Sequence, residues 1–280
     1  MTYAALLTQG KSVLKSAGIA DFEVDAWLIL SHVTHFDRAD FYMYAQDNVP
    51  SAIIDEFNNL IDIRTTRKPL QYMLGTTSFM GYDFYVKEGV LIPRPDTEVL
   101  CEQALKVIKD NDRVLDMCTG SGCIIISVAK KAMENGVDGL VAIGADVSDE
   151  AIELSVRNAA YNETTVEIIK SDLFENISGK FNVILSNPPY IVSDEIDGLM
   201  PEVRDYEPHL ALDGGDDGLD YYRRLSTDAK DYLIDGGHML FEIGFEQGAA
   251  VKDIMISNGY KEVEVIKDYA GNDRVVKATK

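Results

Sequence analysis

The sequence has few cysteines, no long apolar run and no leader-like beginning, and each absence argues against a class of protein. Cys101, Cys118 and Cys123 are the only cysteines in 280 residues, a small and odd number that predicts reduced thiols instead of a disulfide framework. None lies at metal-ligand spacing from another cysteine or a histidine, so no metal site is predicted. A membrane span needs about 18 successive apolar residues, which the chain lacks. Because the first residues lack the blocks of a signal peptide, we expect a cytoplasmic protein.

Basic residues are also scarce. The 26 lysines and arginines face 47 aspartates and glutamates, which gives a net charge of -21. Proteins bind nucleic acid largely by neutralising phosphates with basic side chains, so this balance argues against a direct nucleic-acid partner. The hydrophobic share of 46% is enough for a packed core. The length predicts one large domain or two ordinary ones.

Residues 1–75 are predicted to form a small helical bundle. Apolar residues recur there at the spacing of a helix face. Asp21 is a candidate N-cap for the second helix, and Pro50 precedes a third. Residues 76–90 are predicted to form a β-hairpin linker, because an alternating stretch there has Gly81 at its centre.

Residues 91–280 are predicted to form the main domain, which begins with a helix capped by Asp96 or Thr97. Short apolar strands then alternate with helices, which predicts an α/β fold with a doubly wound, mostly parallel sheet. A helix over 219–233 is predicted to end at Gly236-Gly237, and the chain to close with an antiparallel pair. The predicted strands before that pair are 113–117, 140–145, 166–170, 181–186 and 238–243.

Polar residues follow three successive strands at the edge where parallel sheets bind ligands. Asp116 lies near the end of the first strand, and a turn from Cys118 to Gly122 follows it. The glycines of this turn permit close backbone approach, and the next helix offers free N–H groups. A dinucleotide-binding turn would have a third glycine where Ile125 stands. Asp146 follows the second strand, 30 residues after Asp116, where a carboxylate can accept ribose hydroxyls. After the third strand, Asp172 and Leu173 are placed to bind and cover an adenine ring.

Asn187-Pro188-Pro189-Tyr190 follows the fourth strand. Two successive prolines cannot continue a strand, so a stiff turn is predicted at the ligand-binding edge. Asn187 offers a carbonyl acceptor, the prolines have carbonyls but no N–H, and Tyr190 adds a flat aromatic face. These residues would suit a planar NH2 group, although the tetrapeptide alone is equally compatible with an ordinary proline-rich turn.

In this order, the motifs resemble those of the release factor glutamine methyltransferase family over nearly the whole chain. Cys118 stands where that family's loop often has glycine, and Asn182 replaces an aspartate usual in the fourth strand. The matching stretches are Arg67-Lys68-Pro69-Leu70-Gln71-Tyr72, Leu91-Ile92-Pro93-Arg94-Pro95-Asp96-Thr97-Glu98, Asp116 to Gly122, Ala145-Asp146-Val147-Ser148, Asn187 to Tyr190, Tyr206-Glu207-Pro208 and Asp213-Gly214-Gly215-Asp216-Asp217-Gly218-Leu219.

The resemblance implies a Rossmann-like methyltransferase domain that uses S-adenosylmethionine and leaves S-adenosylhomocysteine. The methyl acceptor would be the glutamine amide in the Gly-Gly-Gln motif of peptide chain release factors. Residues 1–75 carry none of the cofactor motifs, so they are expected either to recognise the release factor or only to stabilise the main domain. Asn187, Pro188 and Tyr190 would be catalytic, and they would bind the substrate together with Pro189. The implied cofactor-binding residues are Asp116, Cys118, Thr119, Gly120, Ser121, Gly122, Asp146, Asp172, Leu173 and Asn187.

Two alternatives stay open. An adenine N6-methyltransferase acting on nucleic acid has a motif of the same shape as Asn187 to Tyr190. The acidic charge and the absence of a basic, aromatic-rich target domain argue against it. A non-catalytic adaptor that senses the cofactor is the other alternative, and it would not require that motif.

Overall fold

A computed structural model describes all 280 residues, which divide into two compact units. The first contains residues 1–75 and, from much later in the chain, 200–206. The second contains 76–199 and 207–280. The chain therefore leaves the second unit after residue 199 and returns to it at residue 207.

The first unit is helical, as predicted. Its core is made by apolar side chains from one face of each long helix, among them the fully buried Leu14, Leu30 and Phe57. Its helices are α1 (Tyr3–Ser16), α2 (Phe22–Thr34), α3 (Arg38–Tyr44), α4 (Ser51–Thr65) and α5 (Leu70–Leu74), with the late segment supplying a short helix, Pro201–Arg204.

Helix starts in this unit differ from the sequence-based expectation. Asp21 stands at the N-cap of α2, as predicted, but its side chain makes no capping hydrogen bond. The sequence analysis did not predict α3, although Asp37 and Asp40 form a capping box at its start. Its seven residues give too short an apolar pattern to be detected by periodicity.

The late segment is bound inside the first unit by a buried arginine. Arg64 donates from Nε to Asp25 at 2.7 Å and from an amino group to Glu202 at 3.0 Å. Glu202 also accepts from Arg67 at 2.7 Å. Arg64 and Asp25 are both less than 10% exposed, so removal of one partner would leave a buried charge uncompensated.

The second unit begins with the predicted hairpin, whose strands are β1 (Thr76–Phe79) and β2 (Tyr82–Tyr85). A seven-stranded sheet follows in the order β5-β4-β3-β6-β7-β9-β8, in which β5 to β7 pair in parallel and β9 pairs antiparallel with both β7 and β8. This confirms the predicted fold class. The sheet strands are β3 (Arg113–Met117), β4 (Val141–Asp146), β5 (Glu167–Lys170), β6 (Phe181–Ser186), β7 (Leu233–Glu242), β8 (Lys261–Lys267) and β9 (Asp273–Thr279).

Helices pack against both faces of this sheet. Alternate strand residues belong to two separate apolar clusters, as Val114 and Leu115 illustrate. The helices are α6 (Glu98–Leu105), α7 (Cys123–Glu134), α8 (Asp149–Tyr161), α10 (Asp220–Asp228) and α11 (Gly248–Ser257), with α9 the Pro201–Arg204 helix of the first unit. None of the eleven helices has the length and apolar character that crossing a membrane requires.

The prediction that Gly236-Gly237 ends a helix is wrong. Helix α10 ends at Asp228, and β7 begins at Leu233 and includes both glycines. Register shifts between Phe181 and Val183, because Phe181 pairs with Leu233 but Val183 with His238. Gly236 has a φ of +77°, which a glycine adopts without strain. The two glycines therefore form an irregularity within a strand, a feature that sequence alone does not separate from a helix end.

Candidate active site

A cavity of about 370 Å³ lies at the carboxyl edge of the parallel strands and is lined entirely by the second unit. The chain runs from β3 outward through β4 to β5, and later from β6 outward to β7. The order therefore reverses between β3 and β6, and such a switch point opens a crevice for ligands. Ser186, at the end of β6, donates to the Met117 carbonyl at 2.7 Å and ties these two strand ends together.

The turn between β3 and α7 forms one wall. Thr119 N donates to the Ala145 carbonyl at 3.0 Å, which holds the turn against β4. Gly122 has a φ of +79°, and an added Cβ there would lie 3.0 Å from the Ser155 Cβ. A side chain at residue 122 would therefore force the turn away from α8. The predicted residues Cys118, Thr119, Gly120 and Ser121 line the cavity, whereas Gly122 only shapes the turn.

Cys118 has a φ of +62°, a left-handed conformation that favours glycine. This explains why glycine would suit the position. Leu173, which also lines the cavity, has a φ of +45°. Strained backbone of this kind concentrates at binding sites, where the surrounding structure holds it in place.

Asp146 lines the cavity at the end of β4 and also braces its wall. Its Oδ2 accepts from Gly120 N at 2.9 Å, and its Oδ1 accepts from Ser148 N at 3.0 Å. Burial raises the pKa of this carboxyl, although the two backbone donors oppose the shift. Each oxygen keeps a lone pair for a ligand hydroxyl.

Asp116, by contrast, does not line the cavity. Its carboxylate is fully buried behind the turn, where Oδ2 accepts from the Thr119 hydroxyl at 2.6 Å. Oδ1 has no hydrogen-bond partner in the protein. Burial raises the pKa of Asp116 to about 7, the Thr119 hydrogen bond opposes this, and the charge of Asp146 adds to it.

Asp172 and Leu173 form the wall that follows β5. Asp172 is half-exposed and lies 3.3 Å from an Arg224 amino group. Leu173 is buried, and its carbonyl accepts from the Ser171 hydroxyl at 2.6 Å. The turn therefore presents an acidic oxygen next to an apolar side chain. Such a pair can bind the amino group of an amino-substituted ring and cover the face of that ring.

Asn187 and Pro189 line the cavity where β6 ends, whereas Pro188 and Tyr190 do not. Asn187 Nδ2 donates to the Thr97 hydroxyl at 3.4 Å, which leaves its Oδ1 free of protein partners. Burial, followed by the charge of Glu242, raises the pKa of the Tyr190 phenol far above its usual value, so Tyr190 stays neutral.

The backbone of Tyr190 is held by residues that the sequence analysis gave no role. Gln247 Nε2 donates to the Tyr190 carbonyl at 2.9 Å and to the Gly218 carbonyl at 3.2 Å. An added Cβ at Gly214 would lie 2.7 Å from the Tyr190 Cα, so a larger residue would displace Tyr190. The glycine-rich stretch 213–218 was the available signal, because repeated glycines indicate close backbone approach.

The segment before α6 is the other part of the site without a predicted role. Several of its residues line the cavity, including Val90, Ile92, Arg94 and Thr97. Arg94 forms an ion pair with Glu207, whose other oxygen is buried without a partner. Of the two predicted caps, Thr97 stands at the N-cap position of α6, but its side chain makes no capping hydrogen bond. The turn before it, Pro95–Thr97, is already a 3-10 helix.

Comparisons with known proteins identify relatives of this chain. A family model described as PrmC N-terminal domain matches residues 5–75, and one described as Methyltransferase small domain matches residues 95–201. A release factor glutamine methyltransferase from Clostridium botulinum is 40% identical, and the match covers 98% of both chains. One from Agrobacterium fabrum is 39% identical over 98% of this chain and 96% of its own.

The solved structures include a methyltransferase from Pyrococcus furiosus that is similar with a TM-score of 0.54 at 20% identity. That similarity covers 72% of this chain and 91% of the other. At this identity it concerns the fold alone.

Proposed function

Because this chain belongs to the release factor glutamine methyltransferase family, we propose that it methylates the side-chain amide nitrogen of a glutamine in a peptide chain release factor. The glutamine is that of the Gly-Gly-Gln motif, and S-adenosylmethionine is the methyl donor, leaving S-adenosylhomocysteine. One observation carries the proposal: a rigid, acceptor-rich turn at Asn187 borders a cavity whose other walls carry acidic side chains and a glycine turn.

The cavity fits S-adenosylmethionine in size and in its donor set. Its volume lies within the range of about 300–1,000 Å³ usual for small-molecule sites. Asp146 suits the ribose hydroxyls, Asp172 the adenine amino group, and Leu173 the ring face. The turn after β3 suits the methionine part, and the buried carboxyl of Asp116 behind it has an unpartnered oxygen. The bound donor supplies a methyl group on a positively charged sulfur.

The protein's part in the reaction is to align a weak nucleophile. An amide nitrogen shares its lone pair with the carbonyl. The enzyme must therefore accept hydrogen bonds from the N–H groups of the substrate amide. Asn187 Oδ1 and the Pro188 carbonyl accept these two hydrogens and fix the direction of the nitrogen lone pair. The Tyr190 ring does not line the cavity and packs instead against the apolar core of the second unit. The displaced proton leaves after methyl transfer, and no general base is assigned.

The helical unit is proposed to recognise the release factor. Every residue that lines the cavity belongs to the other unit, so residues 1–75 have no contact with a cofactor there. A protein loop bound as substrate needs additional surface, typically about 800 Å² per partner. The first unit exposes large apolar side chains, including Tyr42 and Met43, which are 78% and 71% exposed.

A methylation assay with three substrates tests the proposal. The enzyme and methyl donor are incubated with release factor, with duplex DNA and with no acceptor, and each product is weighed by mass spectrometry. We expect one methyl group on the release factor glutamine only. Methylated adenine would support the nucleic-acid alternative, which the net charge of -21 disfavours. Cofactor binding without any methylated product would support the adaptor. We also propose a cytoplasmic location, since release factors are the proposed substrates.

A further inference from the structure

Arg94 is the only lysine, arginine or histidine that lines the cavity. Three acidic side chains line it as well, those of Asp146, Glu150 and Asp172. A cavity with this balance attracts the cationic groups of a ligand and repels an anionic group unless a cation is placed to receive it. Arg94 is therefore the residue at which a negatively charged part of a ligand would be held.

Arg94 lies at the Asn187 end of the cavity. Thr97 N donates to the Arg94 carbonyl at 3.1 Å, and the Thr97 hydroxyl accepts from Asn187 Nδ2 at 3.4 Å. One tight turn therefore separates Arg94 from the residue that is proposed to hold the methyl acceptor. The sulfur and the methionine part of the donor belong at this end, because Asp146 and Asp172 suit the ribose and the adenine.

A buried carboxylate fixes one side of the Arg94 guanidinium. One amino group of Arg94 donates to Glu207 Oε2. The side chain of Glu207 is 1% exposed, whereas that of Arg94 is 37% exposed. A guanidinium has five N–H donors, and this bond uses one of them. The other donors can bind a second carboxylate, which arginine often holds through two parallel hydrogen bonds.

We propose that Arg94 binds the carboxylate of the methionine part of S-adenosylmethionine, and that Glu207 fixes the guanidinium for this contact. The inference rests on the proposed function, because it takes S-adenosylmethionine as the methyl donor. That carboxylate is the only anionic group of the donor, whose sulfur and amino group are both positively charged. A substrate glutamine is neutral and offers Arg94 only a carbonyl oxygen, which is a weaker acceptor than a carboxylate.

The start of α7 is the other group at this end that can bind an anion, since Cys123 and Ile124 line the cavity. The carboxyl of Asp116, however, is buried behind the turn that leads into this helix, where it accepts from the Thr119 hydroxyl. An ionised Asp116 would repel a second carboxylate at the helix start, whereas Arg94 attracts one.

Two ligands that differ only in the carboxylate test the proposal by calorimetry, without release factor. S-adenosylmethionine and decarboxylated S-adenosylmethionine share the adenosine, the sulfonium and the amino group. We expect wild type to bind the first at least about 10-fold more tightly, the scale of a hydrogen bond between charged groups. Arg94→Met keeps an apolar side chain but removes the charge and the donors. It should abolish most of this preference by weakening the binding of S-adenosylmethionine alone.

A second variant and a control accompany this comparison. Arg94→Gln keeps an NH2 donor for Glu207 but carries no charge, so it should lose the preference as well, and it replaces Arg94→Met if that variant fails to fold. Arg223 is an exposed arginine that pairs with Asp217 and does not line the cavity. Arg223→Met should therefore bind both ligands as wild type does.

An undiminished preference for S-adenosylmethionine in the Arg94 variants would overturn the proposal and would assign the carboxylate to the start of α7. Equal binding of the two ligands by wild type would overturn it as well. A wild type that shows the expected preference but does not methylate release factor would contradict only the proposed acceptor and would leave the role of Arg94 standing.

Discussion

At the scale of single residues, the chemistry depends on the side chain of Asn187. One N–H of its Nδ2 is engaged by Thr97, and its Oδ1 has no partner in the protein and is available to accept from a substrate. Asn187→Ala is expected to lower turnover roughly 10²-fold or more, the cost of one lost transition-state hydrogen bond. Cofactor affinity should change far less, because the acidic walls of the cavity remain. Single-turnover kinetics and calorimetry measure the two effects, and turnover within a few-fold of wild type would remove Asn187 from the mechanism.

Asp146 has two tasks, and its replacement should affect both. Asp146→Ala removes the ligand acceptor and also the acceptor for Gly120 N and Ser148 N. We expect cofactor binding to weaken by about 1.5–3 kcal/mol, the range for hydrogen bonds to charged groups. Asp149→Ala is a matched control, because Asp149 is an exposed acid three residues away that does not line the cavity. Equal affinities of the two variants in calorimetry would contradict the assignment.

At the scale of elements, Gln247 connects the start of α11 to the turn after β6. Its amide makes hydrogen bonds in both directions: Nε2 donates to the Tyr190 and Gly218 carbonyls, and Oε1 accepts from Gly244 N at 3.0 Å. Gln247→Glu replaces the donor with an oxygen that faces two carbonyls. We expect a loss of about 1–3 kcal/mol in the free energy of unfolding.

The same replacement should reduce turnover at least about 10-fold, because misplacing a catalytic group by about 1 Å can cost 10²-fold. The measurements are urea unfolding and initial rates. Glu246→Gln, at the exposed neighbouring position, is the control and should behave as wild type. A Gln247→Glu enzyme with native turnover would show that the Tyr190 turn does not need this clamp.

Long periodic elements and strand-end acids were predictable from sequence, whereas contacts between distant loops were not. The strand 181–186 and the positions of Asp146 and Asp172 follow from local pattern, since a buried strand followed by an acid is a local feature. Asp96 or Thr97 was predicted to cap a helix because Asn187, the hydrogen-bond partner of the Thr97 hydroxyl, lies far away in sequence. For the same reason Gln247 received no role. Tertiary hydrogen bonds outweighed local propensity at these sites.

At the scale of the whole molecule, the two units are expected to have separable tasks. A shortened chain that begins at Thr76 should keep S-adenosylmethionine binding if it folds, because the cavity lies wholly in the second unit. Its activity on intact release factor should fall steeply, since the helical unit is proposed to bind that protein. Activity on a short Gly-Gly-Gln peptide should fall much less.

The segment 200–206 sets a condition on this experiment. Glu202 packs with Arg64 and Arg67 of the helical unit, so the shortened chain leaves that carboxylate without its partners. Glu202→Gln in the shortened chain removes the unpaired charge, and circular dichroism should establish folding first. A folded, shortened enzyme that methylates intact release factor at the native rate would exclude the helical unit from recognition.

The structure also predicts how the stability of the whole chain depends on pH. Burial raises the pKa of Asp116 and of Glu242 to about 7, well above the values of about 4 expected in the unfolded chain. Between pH 4 and 7 the unfolded state therefore binds fewer protons at these two residues than the folded state. Stability from these groups is present in full below pH 4 and is lost as pH rises toward and through 7.

Repulsion among the excess acidic groups acts in the same direction, so a comparison of variants is needed to separate the two effects. Glu242→Gln keeps nearly the whole surface charge but removes one buried ionisation. In urea unfolding at pH 5 and pH 8, wild type should lose stability with rising pH, and Glu242→Gln should lose less, by an amount on the order of 2–3 kcal/mol.

Below pH 4 the trend reverses, because paired carboxyls with lowered pKa values, such as Glu202 and Asp213, become protonated. Maximum stability is therefore expected near pH 5, and parallel pH curves for the two proteins would show that folding does not raise the pKa of Glu242.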